Sequence, residues 1–146
     1  MVLTENKQVL KFVEEAAALT NPDKVIWIDG SEEQLEELRK QAMATGELIK
    51  LNEEKLPGCY YHRSAVNDVA RVEGRTFICT RDKADCGPTN NWMDPQEAYA
   101  TAKEVLKDSM KGRDMYVIPF SMGPVGSRFA KAGIEITDSI YVVVSM

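Results

Sequence analysis

The first stretch of the chain carries apolar side chains at helical spacing. Five of them recur every three or four residues and would line one face of a helix: Val9, Phe12, Val13, Ala16 and Ala17. Thr4 is a suitable N-cap for this helix, with Glu5 in its first turn. Pro22 disfavours helical geometry at the residue before it, so the pattern predicts that the helix ends in the "TNPD" segment.

The next segment changes from a compact apolar run to a second helical pattern. Lys24–Ile28 is rich in β-forming residues and predicts a strand. Ser31 and Gln34 have the spacing of a capping box at the start of a helix, and Gly46 is placed to end that helix. A second short strand is expected in "ELIKL", residues 47–51. The order of strand, helix and strand resembles a βαβ unit.

The turn inside that unit reads "DGSEEQ" and has a single glycine. Two carboxylates, those of Glu32 and Glu33, follow it directly. A phosphate group would meet like charge there, and the glycine pattern of a dinucleotide site is missing. We therefore do not expect a nucleotide at this turn.

The middle of the chain contains one more strand signal and a clear helix start. Arg75–Thr80 predicts a strand. Asp94 as cap, Pro95 at the first position and Glu97 two residues on predict a helix that runs to about Met110. The candidates for its inward-facing stripe are Tyr99, Ala102, Val105, Leu106 and Met110.

The last part of the chain is its most β-prone part. Asp114–Phe120 predicts a strand, and "IEIT" and "SIYVVVS" predict two more, joined by a turn around Asp138. The run "IYVVVSM" ends with no turn or polar tail after it, which is unusual for a domain, and a bare terminal strand exposes unpaired backbone groups; we therefore expect that these residues belong to a longer protein. For the same reason, pairing of terminal strands between copies is an open route to self-association.

Composition and charge narrow the functional classes. A chain of 146 residues suits one domain, 1–146. The net charge of −5 and the missing basic patch argue against a nucleic-acid partner. No window approaches the roughly 20 apolar residues that span a bilayer, and the start does not resemble a signal peptide. Three cysteines without regular spacing suggest reduced thiols, so we expect a cytoplasmic protein and no membrane partner.

Two motifs that resemble ligand sites are weak. The loop "SMGPVGS" follows a strand but lacks the Lys and Ser/Thr of a phosphate-binding loop, so we interpret it as a turn between strands. His62 is the only histidine and lies three residues after Cys59, whereas a zinc site needs three or four ligands. The sequence therefore predicts no metal site.

Arg71, in "DVARVE", has two interpretations. It is either an exposed arginine paired with Asp68 or Glu73, or a guanidinium that binds a carboxylate or phosphate through two parallel hydrogen bonds. Its position alone favours the first. The segment "GPTNNWMDP" also has two interpretations, which the sequence supports equally: a docking surface for a partner domain, or an ordered loop anchored by Trp92.

Several strings together resemble one family. "DVARVE", "GPTNNWMDP", "KGRDMYVIPFSMGP" and "GIEITDS" with "YVVVSM" are similar to the N-terminal domain of the GTP-dependent phosphoenolpyruvate carboxykinases, and the similarity extends from "EEAAALTNPD" and "IDGSEE" to the last residue. Two places depart from the family pattern. Ile140 stands where proline is expected, and Arg128 with Phe129 replaces a proline and a small apolar residue. These departures affect a turn and a loop.

The resemblance implies a fold and an activity. The fold would be α/β, a mixed β-sheet with flanking helices, forming the N-terminal lobe of a two-domain enzyme. That enzyme, a lyase, would convert oxaloacetate and GTP into phosphoenolpyruvate, GDP and carbon dioxide at the entry to gluconeogenesis. It would use Mn²⁺, with Mg²⁺ bound to the nucleotide. By resemblance, Arg71 matches the arginine that binds the substrate carboxylate, which favours its second interpretation.

The same resemblance places the rest of the machinery outside these residues. The phosphate loop, the manganese ligands and the guanine pocket of the family would all lie in a C-terminal domain. We therefore expect no catalytic, cofactor-binding or metal-binding residue within 1–146, and an inactive isolated fragment. The alternative is a stand-alone binding or interaction module that keeps only this fold.

Overall fold

The computed structural model describes residues 2–66, 68 and 72–146. Its helices and strands, in chain order, are α1 (Lys7–Thr20), β1 (Lys24–Trp27), α2 (Glu32–Thr45), β2 (Ile49–Lys50), β3 (Tyr60–Tyr61), β4 (Phe77–Ile78), β5 (Asn91–Trp92), α3 (Pro95–Leu106), β6 (Asp114–Met122), β7 (Lys131–Thr137) and α4 (Ile140–Ser145). Single 3₁₀ turns lie at Glu73–Arg75 and Lys83–Cys86.

The main sheet has three strands in the order β1-β6-β7. β6 pairs in parallel with β1, with Trp27 opposite Val117, and antiparallel with β7, with Phe120 opposite Gly133. Two smaller pairs stand apart from it, an antiparallel β2–β3 pair and a parallel β4–β5 pair. The prediction of an α/β fold with a mixed sheet is confirmed.

The core lies on both faces of β6, because successive residues of a strand point to opposite faces. Met115 and Val117 face α1 and are fully buried beside Val13 and Trp27. The opposite face packs against α2 and α4. Its buried members are Ile28, Leu38, Ala42, Leu48, Tyr116, Ile118, Ile140 and Val143. This two-sided burial explains the apolar run from which the sequence predicts a strand at Asp114–Phe120.

The first helix begins later than predicted. The Asn6 side chain, and not that of Thr4, caps α1: its Oδ1 accepts from the backbone nitrogens of Gln8 and Val9 at 3.0 and 3.4 Å. Thr4 instead accepts a hydrogen bond from Asn6 N at 3.1 Å. Asparagine is as good an N-cap as threonine or better, so Asn6 caps the helix in place of Thr4.

The predicted βαβ unit is wrong. Leu48 N donates to Ala42 O at 3.0 Å, which folds the chain back onto α2 as soon as that helix ends. β2 therefore pairs antiparallel with β3, and Ile49 is 55% exposed. The parallel partner of β1 is β6, which lies far along the chain.

The third helix starts as predicted but ends early. Asp94 Oδ1 accepts from the backbone nitrogens of Gln96 and Glu97, as a cap should. The helix stops at Leu106 because Asp108 adopts a left-handed φ of 54° and donates its N–H to Leu19 O. The predicted inward stripe is also wrong, because four of its five members are exposed, with Tyr99 at 72% and Val105 at 74%; only Met110 is partly buried.

The last predicted strand is a helix. Residues Ile140–Ser145 form α4, with Ile140 and Val143 buried at helical spacing. The terminal strand from which we expected pairing between copies is therefore a helix in this structure. The described helices include none that is both long enough and apolar enough to cross a membrane.

Candidate functional site

The predicted substrate-binding residue, Arg71, lies outside the described residues. The chain is described again from Val72, which leads directly into the 3₁₀ turn Glu73–Arg75. Within this turn Arg75 N donates to Val72 O at 3.0 Å, and Thr76 N donates to Glu73 O at 3.2 Å. The Thr76 hydroxyl also donates to Val72 O, at 2.7 Å. The residue that follows Arg71 thus belongs to a tightly bonded turn.

A second sequence motif meets this turn. The Nδ2 group of Asn91, in "GPTNNWMDP", donates to Glu73 O at 2.8 Å and to Thr76 O at 3.2 Å. The pairing of β4 with β5 places Phe77 opposite Asn91 and so brings the two segments side by side. Sequence reasoning left Asn91 open between docking and local turn formation. In the structure its amide donates hydrogen bonds to a neighbouring turn. This contact depends on the pairing of β4 with β5, which the sequence does not reveal.

The loop that carries Asn91 is itself well ordered. Asn90 Nδ2 donates to Cys86 O at 2.8 Å, and the buried Cys86 thiol lies 3.4 Å from Asn90 O. Trp92 Nε1 donates to Thr80 O at 3.1 Å, which ties the end of the loop to the segment after β4. These contacts match the anchored-loop interpretation of the motif.

A hollow of about 420 Å³ lies between the turn and this loop. Its polar lining comes from Glu73, Thr76, Thr89, Asn90 and Asn91. Hydroxyl and amide groups of this kind form hydrogen bonds with polar ligands. The segment that follows Arg71 therefore lies beside a polar hollow.

In the "DGSEEQ" turn, two backbone donors at the start of α2 already have acceptors within the turn. Asp29 Oδ1 accepts from Ser31 N at 2.8 Å, and Ser31 Oγ accepts from Gln34 N at 3.3 Å. Hydrogen bonds from Ser31 hold the pKa of Asp29 below its usual value. A carboxylate therefore sits where an anion would bind at the start of α2.

The "SMGPVGS" loop is the turn between β6 and β7, as its spacing predicts. Gly123 and Gly126 have φ values of 90° and 85°, which side chains other than glycine rarely adopt. Ser127 N donates to Pro124 O at 3.0 Å, closing the turn, and Val125 at its tip is 90% exposed.

His62 contacts a backbone carbonyl and an aromatic ring. Its Nδ1 lies 2.7 Å from Glu47 O, and because a carbonyl only accepts, Nδ1 carries the proton. The ring stacks on Tyr141, with centroids 3.9 Å apart. Across the part of the chain that the structure describes, no three His, Cys, Asp or Glu side chains are grouped to hold a metal ion.

Comparison with known proteins identifies the family. The sequence model described as "Phosphoenolpyruvate carboxykinase N-terminal domain" matches residues 11–146. The chain is 54% identical over 143 residues to a protein of Anaeromyxobacter sp. (strain K) named phosphoenolpyruvate carboxykinase [GTP], with 98% of this chain and 24% of the relative covered. Proteins of the same name from Corynebacterium jeikeium and Corynebacterium kroppenstedtii are 52% and 53% identical, with 98% of this chain and 24% and 23% of those relatives covered.

The chain therefore spans about a quarter of the length of these relatives. The match extends over almost every described element, from the body of α1 to α4. Identity above 50% over this length far exceeds what a shared fold alone requires. This chain belongs to the phosphoenolpyruvate carboxykinase N-terminal domain family.

Proposed function

We propose that the chain is the N-terminal, substrate-binding lobe of a longer two-domain GTP-dependent phosphoenolpyruvate carboxykinase. The observation that carries the proposal is 54% identity to a relative with that name over 98% of this chain. The match to only 24% of that relative supports a further domain with the nucleotide-binding machinery. The rest of the enzyme would then be the main partner of this lobe.

Within this lobe, we assign the binding of the substrate carboxylate to Arg71. The assignment comes from the resemblance of "DVARVE" to the family motif. A guanidinium suits the task because its planar fork forms two parallel hydrogen bonds with a carboxylate. It stays protonated at any working pH, so its role is to position the substrate and not to move a proton.

The reaction that this lobe would serve is a decarboxylation coupled to phosphoryl transfer. The C–C bond between the methylene carbon of oxaloacetate and the carboxylate β to its ketone breaks. Carbon dioxide leaves, and the electron pair of that bond remains on the rest of the molecule as an enolate. The enolate oxygen attacks the γ-phosphorus of GTP, and GDP departs with the bridging oxygen. Phosphoenolpyruvate is the product. Arg71 would hold oxaloacetate and the enolate in one orientation for both steps.

The two metal ions expected for this chemistry do not fit the described residues. Those residues include no group of three side chains able to hold a metal ion, and His62 Nδ1 is already bonded to a carbonyl. We propose that Mn²⁺ and the Mg²⁺ that accompanies GTP are held by the other domain. The isolated lobe would then be inactive.

We further propose that the enzyme works in gluconeogenesis and in the cytoplasm. The free thiols of Cys59, Cys79 and Cys86 suit a reducing compartment.

The test is Arg71→Ala in the full-length enzyme. We expect kcat/KM for oxaloacetate to fall at least tenfold, about 1.4 kcal/mol, because the carboxylate loses its charged partner. The matched control is Arg39→Ala, which removes an arginine that pairs with Glu32 and Glu36 on the surface of α2. Surface pairs contribute little, so this variant should keep its activity. Unchanged kinetics for Arg71→Ala would remove Arg71 from the site.

A further inference from the structure

We propose that one face of α3 is the surface on which this lobe docks the part of the enzyme that follows residue 146. This face, which we call the α3 stripe, consists of Tyr99, Ala102, Val105 and Leu106. The inference rests on the proposed function, because it takes the longer enzyme as given. It names the surface through which the lobe meets its main partner.

The α3 stripe has the spacing of a buried helix face, yet it is uncovered. Successive residues of a helix are about 100° apart, so the four members of the stripe fall within an arc of about 120°. Each of the four is exposed, as is every other residue from 99 to 106. A helix of 12 residues gains most of its stability from packing an apolar face. Within the described part of the chain, the stripe is not packed in this way.

The helix is fastened at both ends, so the stripe is held in a fixed place. Asp94 caps its first turn. Just after its last turn, Asp108 N donates to Leu19 O at 3.0 Å and Met110 N donates to Thr20 O at 2.9 Å. These two bonds join the end of α3 to the end of α1. A surface that is ordered before its partner docks loses less conformational entropy on docking.

Charges of opposite sign border the two sides of the stripe. At about 100° per residue, Lys103 and Lys107 lie along one side, and Glu97 and Glu104 lie along the other. Protein interfaces combine an apolar centre with a polar rim of this kind. A tyrosine hydroxyl such as that of Tyr99 needs a hydrogen-bond partner once it is covered. The docked surface would therefore be apolar, with an acceptor opposite Tyr99 and complementary charges at its edges.

The size of the stripe favours a covalently linked partner over a second copy of the chain. α3 has 12 residues, so its face is about 18 Å long and about 10 Å wide. A symmetric pair of such helices would bury far less than the roughly 800 Å² per partner of a stable complex. A domain on the same chain is present at a high effective concentration, so a small interface is enough to hold it. The relatives supply such a domain, since about three-quarters of their length lies outside the match.

The experiment places a photo-crosslinking residue on the stripe of the full-length enzyme. Tyr99 is replaced by p-benzoylphenylalanine, which keeps a para-substituted aromatic ring, and the crosslinked peptides are identified by mass spectrometry. We expect crosslinks within one molecule to residues beyond 146. The same probe at Val105 should reach the same part of the enzyme, and it provides the test if the Tyr99 variant does not fold.

The matched control is the same probe at Ala100, an exposed residue on the opposite side of α3. It should give few crosslinks beyond residue 146. Crosslinks between two molecules would place a second copy on the stripe and overturn the proposal. Crosslinks confined to residues 1–146, no crosslinks at all, or equal yields from Ala100 and Tyr99 would overturn it as well.

A charge on the stripe gives a second measurement. Val105→Lys should lower the melting temperature of the full-length enzyme by several degrees, because the ammonium group would be buried under the docked domain. Ala100→Lys, on the opposite side of the helix, should leave it unchanged. Equal melting temperatures for the two variants would contradict docking on the stripe.

The two proposals fail in different ways. A full-length protein without carboxykinase activity refutes the proposed function, whatever its crosslinks. An active enzyme whose stripe gives no crosslinks beyond residue 146 refutes only the docking surface.

Discussion

Glu47 Oε1 lies 2.8 Å from the hydroxyl of Ser139, which donates a hydrogen bond to it across 92 positions of the chain. The same oxygen accepts from Tyr141 N at 2.9 Å. One carboxylate, just after α2, therefore caps the first turn of α4 in place of a local N-cap. The pair joins the two helices that cover one face of the main sheet.

Glu47→Ala should lower the free energy of unfolding of the chain by about 1–3 kcal/mol, because α4 loses a charged acceptor for two donors. Glu47→Gln should lower it less, since an amide oxygen still accepts but carries no charge. Urea denaturation followed by circular dichroism measures both. Glu54→Ala, at an exposed loop position, is the control and should remain close to the parent. Equal stability of Glu47→Ala and the parent would contradict the capping role.

Gly133→Ala should destabilise the β6–β7 pair. A Cβ at this position would lie 2.6 Å from Cζ of Phe120, whose ring covers the glycine across the strands. The ring must swing away, and overpacking of this kind costs about 1–3 kcal/mol. The measurement is the shift of the denaturation midpoint.

Two comparisons check the reason for that shift. Gly74→Ala meets no atom within 4 Å at a φ that is not left-handed, so it serves as the glycine control and should be nearly neutral. In a Phe120→Ala background, Gly133→Ala should lose its cost, because the clash is gone. An undiminished cost in that background would assign the effect to the backbone instead.

The free energy of unfolding should also fall at alkaline pH, because Tyr116 is buried in its neutral form. Burial raises the pKa of its phenol above 10.0, and the charges of Asp114 and Glu47 raise it further. A raised pKa means that the unfolded chain loses this proton first. The contribution to stability is thus complete below pH 10.0 and declines as pH rises toward the folded-state pKa.

Tyr116→Phe, which cannot ionise, should therefore show a shallower decline of unfolding free energy above that pH. Denaturation at a series of alkaline pH values gives the slope. Because the chain has five tyrosines, the difference in tyrosinate absorbance between the parent and Tyr116→Phe gives the pKa of Tyr116. Parallel slopes for the parent and the variant would contradict the assignment.

Elements with strong local signals were predictable. The starts of α2 and α3 were predicted because a cap and its bonded partners lie within a few residues, as in Asp94 with Gln96 and Glu97. β6 was predicted because its burial on both faces leaves a continuous apolar run. The family was recognisable from its motifs, and comparison confirmed it.

The candidate site was only partly predictable. "DVARVE" and "GPTNNWMDP" were each visible as motifs, and Arg71 remains a prediction from resemblance. The bond from Asn91 to Glu73 was not visible, because the two residues are 18 positions apart and meet only through a two-residue strand pair. Strands this short leave almost no periodic pattern.

The sequence by itself determined where α2 and α3 begin, that a strand begins at Asp114 and to which family the chain belongs, because these properties depend on residues that are neighbours in the chain. Tertiary structure decided the rest. The segment "IYVVVS" is β-prone by propensity, yet it forms α4 because Glu47 caps it and because Ile140 and Val143 pack against α2. Burial and long-range hydrogen bonds outweigh propensity differences of a few tenths of a kcal/mol per residue, and no local pattern reports them.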